Sequence, residues 1–211
     1  MAVEVQYRGD NADAGPSDGV WFDVDPLASP KKSFDILEDF VGISSLTLAG
    51  TSAPADGTEP GGTRVFETDD SAKGEFAFKL ADDKDLTFEC RLKPAAAAGF
   101  QVGLQNSGDT KRLSFVGAAG TATLKHDDNS EDETIAAKAL TTDAYIKLGF
   151  RVRGAGDDTE ITAYADGVKV ASKKLSDLEA SALTSDMLQV AIVSSTAAAI
   201  EVDWIKAVQL R

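Results

Sequence analysis

The sequence predicts an all-β protein: an antiparallel sandwich of two packed sheets, preceded by an extended N-terminal arm. Three observations predict it. Residues 145–153 alternate strictly, with Ile146, Leu148, Phe150 and Val152 on one side and Lys147, Gly149, Arg151 and Arg153 on the other. Ile161–Ala165 and Val168–Ala171 flank Asp166-Gly167, a pair suited to a two-residue hairpin because both central positions need positive φ. Residues 200–210 form a closing strand. Such alternation implies sheets with one buried and one wet face.

Strands are expected near 34–40, 44–48, 63–68, 74–80, 86–93, 99–105, 112–116, 121–125, 145–153, 159–165, 168–174, 187–194 and 199–209. Period two is plain in Phe76/Phe78/Leu80, Phe100/Val102/Leu104 and Leu188/Val190/Ile192. A helical turn is expected at 176–184, where Ser176 and Glu179 fit a capping box. This many short strands, separated by Gly, Asp and Asn turns, form one domain over residues 33–211.

Residues 1–32 read differently. Arg8 to Gly19 is polar and turn-rich with no hydrophobic period, so it cannot build a core alone. The arm carries one apolar knot, Val20-Trp21-Phe22, followed by Pro26 and Leu27. Two large aromatics in a polar arm need burial, either on the domain's own sheet or on another subunit.

Composition narrows the chemistry. With 211 residues the chain can bury a sizeable core without covalent staples. Cys90 is the sole cysteine and shares a strand face with Leu86, Phe88 and Leu92, the setting of a small core residue. The balance of 21 basic against 35 acidic residues, net −14, disfavours nucleic acid and anionic lipid as partners. No stretch is apolar for long enough to span a membrane, and the first residues lack the pattern of a signal peptide. A soluble protein made in a reducing cytoplasm is expected.

Catalytic and metal signals are thin. Glu201 and Asp203 share a strand face and are the nearest approach to the paired carboxylates of a glycanase, without a third acid two or three positions on. Glu89 reads as an outward acid in an ion pair. The acidic run from Asp127 to Glu133 lacks the glycine and closing glutamate of a helix–loop–helix calcium site and reads as a solvated loop tip. The single histidine, His126, falls beside it, with no nucleophile turn for it to serve. No zinc cluster or phosphate loop is present, and no cofactor is expected. For sugar stacking, the aromatics expected to be exposed are Tyr145 and Tyr164.

Residues 18–48 and 144–211 resemble a family of tailed-bacteriophage virion structural proteins with a concanavalin A-like jelly-roll fold. The opening, Asp18-Gly-Val-Trp-Phe-Asp-Val-Asp-Pro-Leu27 and then Phe34-Asp-Ile-Leu-Glu-Asp-Phe40, resembles the family's arm and first strand. Tyr145–Arg153 with Thr162–Val168 resembles its central hairpin, and Ile200–Arg211 its closing strand. Residues 49–143 match in style alone. The hairpin and closing strand are shared by many concanavalin-like domains, whereas the opening points to phage. The resemblance implies a capsid decoration or cement protein on the outer surface of the virion, often a trimer, partnered by the major capsid protein. It implies no catalytic residues. Val20, Trp21, Phe22, Pro26 and Leu27 would then hold the chain to the capsid or to its trimer mates. A carbohydrate-binding or host-adhesion module using Tyr145 or Tyr164 is the alternative, followed by a jelly-roll glycanase using Glu201 and Asp203.

Overall fold

The computed structural model describes residues 33–38, 46–50, 55–56, 63–80, 84–95, 99–154, 158–178, 187–195 and 199–210. The arm's knot, Val20, Trp21, Phe22, Pro26 and Leu27, lies outside the described residues. The strands are β1 (Ser33–Glu38), β2 (Thr47–Ala49), β3 (Ala55–Asp56), β4 (Arg64–Phe66), β5 (Ser71–Lys79), β6 (Leu86–Pro94), β7 (Phe100–Gln105) and β8 (Arg112–Ala118). They continue as β9 (Thr121–Asp127), β10 (Asp132–Ala139), β11 (Ile146–Arg153), β12 (Glu160–Ala165), β13 (Val168–Lys174), β14 (Met187–Ser194) and β15 (Ile200–Leu210).

Two antiparallel sheets result. The larger has eight strands in the order β13-β12-β11-β6-β15-β4-β3, with β1 also pairing β15. The smaller has seven, in the order β10-β9-β8-β7-β14-β5-β2. Neighbours in space are often distant in sequence, as when β6 lies between β11 and β15, which gives the jelly-roll winding.

The predicted alternation decides which side chains enter the core. Leu86, Phe88, Cys90 and Leu92 of β6 stand opposite Val152, Phe150, Leu148 and Ile146 of β11, and all are buried. Phe88 stacks on Phe150 at 5.0 Å between ring centroids, and Phe115 of the smaller sheet reaches Phe150 at 6.3 Å, so these rings span the layer between the sheets. Burying each such side chain contributes about 1.5–3 kcal/mol. Cys90 is fully buried, its thiol donating weakly to the Leu148 carbonyl at 3.6 Å, and burial pushes its pKa far up. That is the chemistry of a core residue.

The β12–β13 hairpin forms as the sequence requires. Asp166 and Gly167 take φ of 51° and 79°, and the Asp166 carboxylate accepts from the Lys147 backbone N–H at 3.0 Å, strapping the turn to β11.

Four expectations are corrected. The segment 127–133 is only in part a loop: Asp127 ends β9, and Asp132 and Glu133 begin β10, a strand the sequence did not announce. Its tip at Asn129–Glu131 is exposed, while the Asp128 Oδ1 accepts from Ser130 N, Ser130 Oγ and Glu131 N at 2.6–3.0 Å. The Asp128 carboxylate is spent on its own turn. His126 is not in a polar loop but on the inward face of β9, fully buried, because the strand runs two residues beyond the expected end. Ser176 lies inside a short 3-10 turn at Leu175–Asp177 whose start, Lys174, makes no side-chain cap, so Ser176 does not stand at the helix start expected of it. Glu179 falls outside the described residues.

The outer face of the larger sheet is the fourth. It is not wet at its centre: Thr87, Glu89, Arg151, Thr162 and Tyr164 are all buried. Polar side chains on this face pair with one another, as Arg151 does with Asp85 at 3.1 Å, so little of them is left to water.

Candidate functional site

Each outer face carries a polar cluster. On the larger sheet it gathers at the end of β6, β11 and β15. A bulge in β15 between Val202 and Trp204 makes Asp203 an extra residue, set beside Arg91. Arg91 pairs with Asp203, and its guanidinium lies 3.8 Å from the centroid of the Tyr145 ring. Lys93 sits 5.0 Å from the same centroid and 2.5 Å from Glu201 Oε2. The Glu201 Oε1 accepts from Thr63 Oγ1 at 2.8 Å and from Tyr145 Oη at 3.0 Å.

This geometry corrects the sequence on both aromatics. Tyr145 is half-buried with cations against its ring, so the face a sugar would stack on is shared with Arg91 and Lys93. Tyr164 is 8% exposed. Its cross-strand partner is Gly149, which has no side chain, so the ring has room to lie on the sheet instead of standing in solvent. Glu201 and Asp203 do come close together, as their spacing required, but each is engaged by a cation. Glu89 is buried opposite Gly149 and Lys206. His126 has neither ring nitrogen hydrogen-bonded, and burial lowers its pKa against the pull of Asp128, Glu133 and Asp127. Cys90 is not its partner, since it belongs to the larger sheet's core.

The second cluster was not found from sequence. It lies on the outer face of the smaller sheet and is built on Gly103. That glycine has φ of 153°, and a Cβ there would meet Ser114 Cα at 2.6 Å and Leu113 O at 2.7 Å, so β7 and β8 approach as only glycine allows. With no side chain at 103, Gln101 and Gln105 reach over it and hydrogen-bond to each other. Arg112 donates to Gln101 Oε1 at 2.8 Å and pairs with Asp127 at 2.9 Å. Gln105 donates to Asp109 at 2.7 Å, and Asp109 binds Lys73 at 2.6 Å. Asp132 closes the far end on Lys125 at 2.6 Å.

Three cations and three carboxylates alternate along this ladder with two amides between them. Beneath it the Ser114 hydroxyl, fully buried, has no hydrogen-bond partner, and neither has the Arg112 Nε. The signal in the sequence was Gln101-Val-Gly-Leu-Gln105: two amides of one strand face astride a glycine.

A sandwich of two antiparallel sheets wound as a jelly roll, with polar clusters on its outer faces, defines the class: an all-β jelly-roll domain. No family model and no curated protein sequence matches the chain. Solved structures do. A protein of unknown function from Shewanella oneidensis MR-1 superposes with a TM-score of 0.57 at 19% identity, over 85% of this chain and 87% of that one. The carbohydrate recognition domain of Emp47p gives 0.60 at 9% identity, over 83% and 96%. The carbohydrate esterase of the Shiga toxin-encoding bacteriophage phi24B gives 0.54 at 13%, over 79% and 90%. At such identities the likeness is one of fold.

Proposed function

We propose that this chain is a surface protein of a phage particle that works by binding, decorating and stabilising the capsid exterior. The observation that carries the non-catalytic part is the state of Glu201 and Asp203: the pair best placed for glycanase work is tied to Lys93 and Arg91. A hydrolytic carboxyl pair needs one member free to donate a proton and the other free to face the sugar or a water. The virion setting is supported by the resemblance of residues 18–40 and by the acidic balance of the chain, net −14, which suits an outward-facing coat. Attachment falls to Val20, Trp21, Phe22, Pro26 and Leu27, with the major capsid protein and other copies of the chain, as a trimer, for partners.

The test is the copy number of this chain relative to the major capsid protein in purified particles, alongside a chain lacking residues 1–32. Near-equal numbers, and a truncated chain that folds but no longer attaches, are expected. Absence from particles overturns the reading.

A second reading, host adhesion through a glycan, is favoured by the hydrogen-bonding ladder on the smaller sheet. It expects few copies per particle and places the chain on the tail or a fibre.

A further inference from the structure

We propose that the ladder over Gly103 is a binding site for an uncharged saccharide, with Gln101, Gln105, Arg112 and Ser114 as its contact residues. The proposal deepens the adhesion reading, and it stands whether the chain sits on a head or a tail.

The ligand class follows from the groups present. Amide, guanidinium and carboxylate side chains each offer two hydrogen-bonding atoms in a plane, the spacing that neighbouring sugar hydroxyls match. Lys73, Arg112 and Lys125 are balanced by Asp109, Asp127 and Asp132, so the site asks for no charge on its ligand. Nucleic acid and acidic glycans would meet the field of a chain at −14. Recognition here is by hydrogen bonds: the outer-face positions flanking the ladder on β8 and β14 are Val116, Gln189, Ala191 and Val193, and none is aromatic.

Entry is a matter of exchange. The Gln101 amide donates to Gln105 across a floor made of Gly103, Ser114 and Ala191, which stand in cross-strand register. Sugar hydroxyls that replace this amide–amide contact leave both glutamines bonded, so little is lost. What is gained is a partner for the Ser114 Oγ and the Arg112 Nε, two buried polar atoms of this cluster that have no hydrogen-bond partner. The site is poised to give up one contact for several.

The test is heteronuclear NMR on the isotope-labelled 211-residue chain, titrated with neutral oligosaccharides of glucose, galactose, mannose and N-acetylhexosamines to tens of millimolar. Shifts are expected at the Gly103 backbone amide and at the Gln101 and Gln105 side-chain NH2 groups, with the residues around Tyr145 unmoved. Ser114→Ala removes the buried hydroxyl. It should fold at least as stably as the parent while weakening saccharide binding by about tenfold, the worth of one hydrogen bond.

Gln105→Ala, checked by its spectrum for an intact fold, should weaken binding as much or more. No shift with any saccharide of the panel overturns the proposal, as does binding mapped to Tyr145 or left intact in both variants. None of these results bears on particle copy number, so failure of the site and failure of the virion reading are told apart.

Discussion

The phenol of Tyr145 donates to the Glu201 carboxylate at 3.0 Å while the Arg91 guanidinium lies 3.8 Å from the centroid of its ring. The tyrosine is thus fixed at both its polar tip and its face. It serves as a cross-strand brace between β15 and the chain entering β11. Tyr145→Phe removes the hydrogen bond and keeps the ring, and should cost about 1 kcal/mol in denaturant unfolding. Glu201→Gln should cost more, because Lys93 loses its counter-ion, and neither change should alter any glycan binding at the smaller sheet.

The pH dependence should report His126. Burial lowers its pKa below the ordinary 6.5, so the unfolded chain binds a proton that the folded chain refuses. Stability is therefore full above about pH 6.5 and falls as the pH drops toward the folded pKa. His126→Leu should be more stable than the parent and should lack that part of the decline. Denaturant midpoints of both proteins at about pH 7.5 and about pH 5.5 give the comparison.

The buried guanidinium of Arg151 rests on Asp85, 3.1 Å from its NH2 group, with Arg153 Nε at 3.4 Å from the same oxygen. Asp85→Asn leaves the buried Arg151 facing a neutral amide, while the exposed Arg153 stays solvated. A loss of about 2 kcal/mol is expected, measured by thermal or urea unfolding.

Phe150 meets Phe88 beside it and Phe115 across the sandwich. Phe150→Ala should open a cavity at the point where the sheets touch and cost about 3–5 kcal/mol. The core rings predict an unfolding transition shared by both sheets, so tryptophan fluorescence at Trp204 of the larger sheet and circular dichroism should lose their signals together.

Period two made most of the scaffold readable. Strands such as β11, β13 and β14 fall where alternation and the Asp166-Gly167 turn put them, because side chains of a strand alternate between its two faces. β10 escaped, since Asp132-Glu-Thr begins a strand whose outward face is charged and exposed, which in sequence looks like the loop before it. The sites were less legible. Tyr164 was expected to be exposed from alternation alone, but its burial depends on Gly149, a residue on another strand. The ladder over Gly103 is assembled from β7, β8, β9, β10, β5 and the turn at Asp109, and no linear spacing encodes such a convergence.

β15 is the strand on which the larger sheet depends, since among the described strands it alone joins β6 to β1 and β4. On a ribosome it is also the last strand of this sequence to emerge. Until then β6 carries an unpaired hydrophobic edge, and β1, though synthesised early, has nothing to pair with. The sheet therefore completes only after translation has passed residue 209, by closing loops of well over a hundred residues, and slow folding is the kinetic result. A nascent chain of this kind is exposed to aggregation until β15 has emerged, and most in need of a chaperone up to that point.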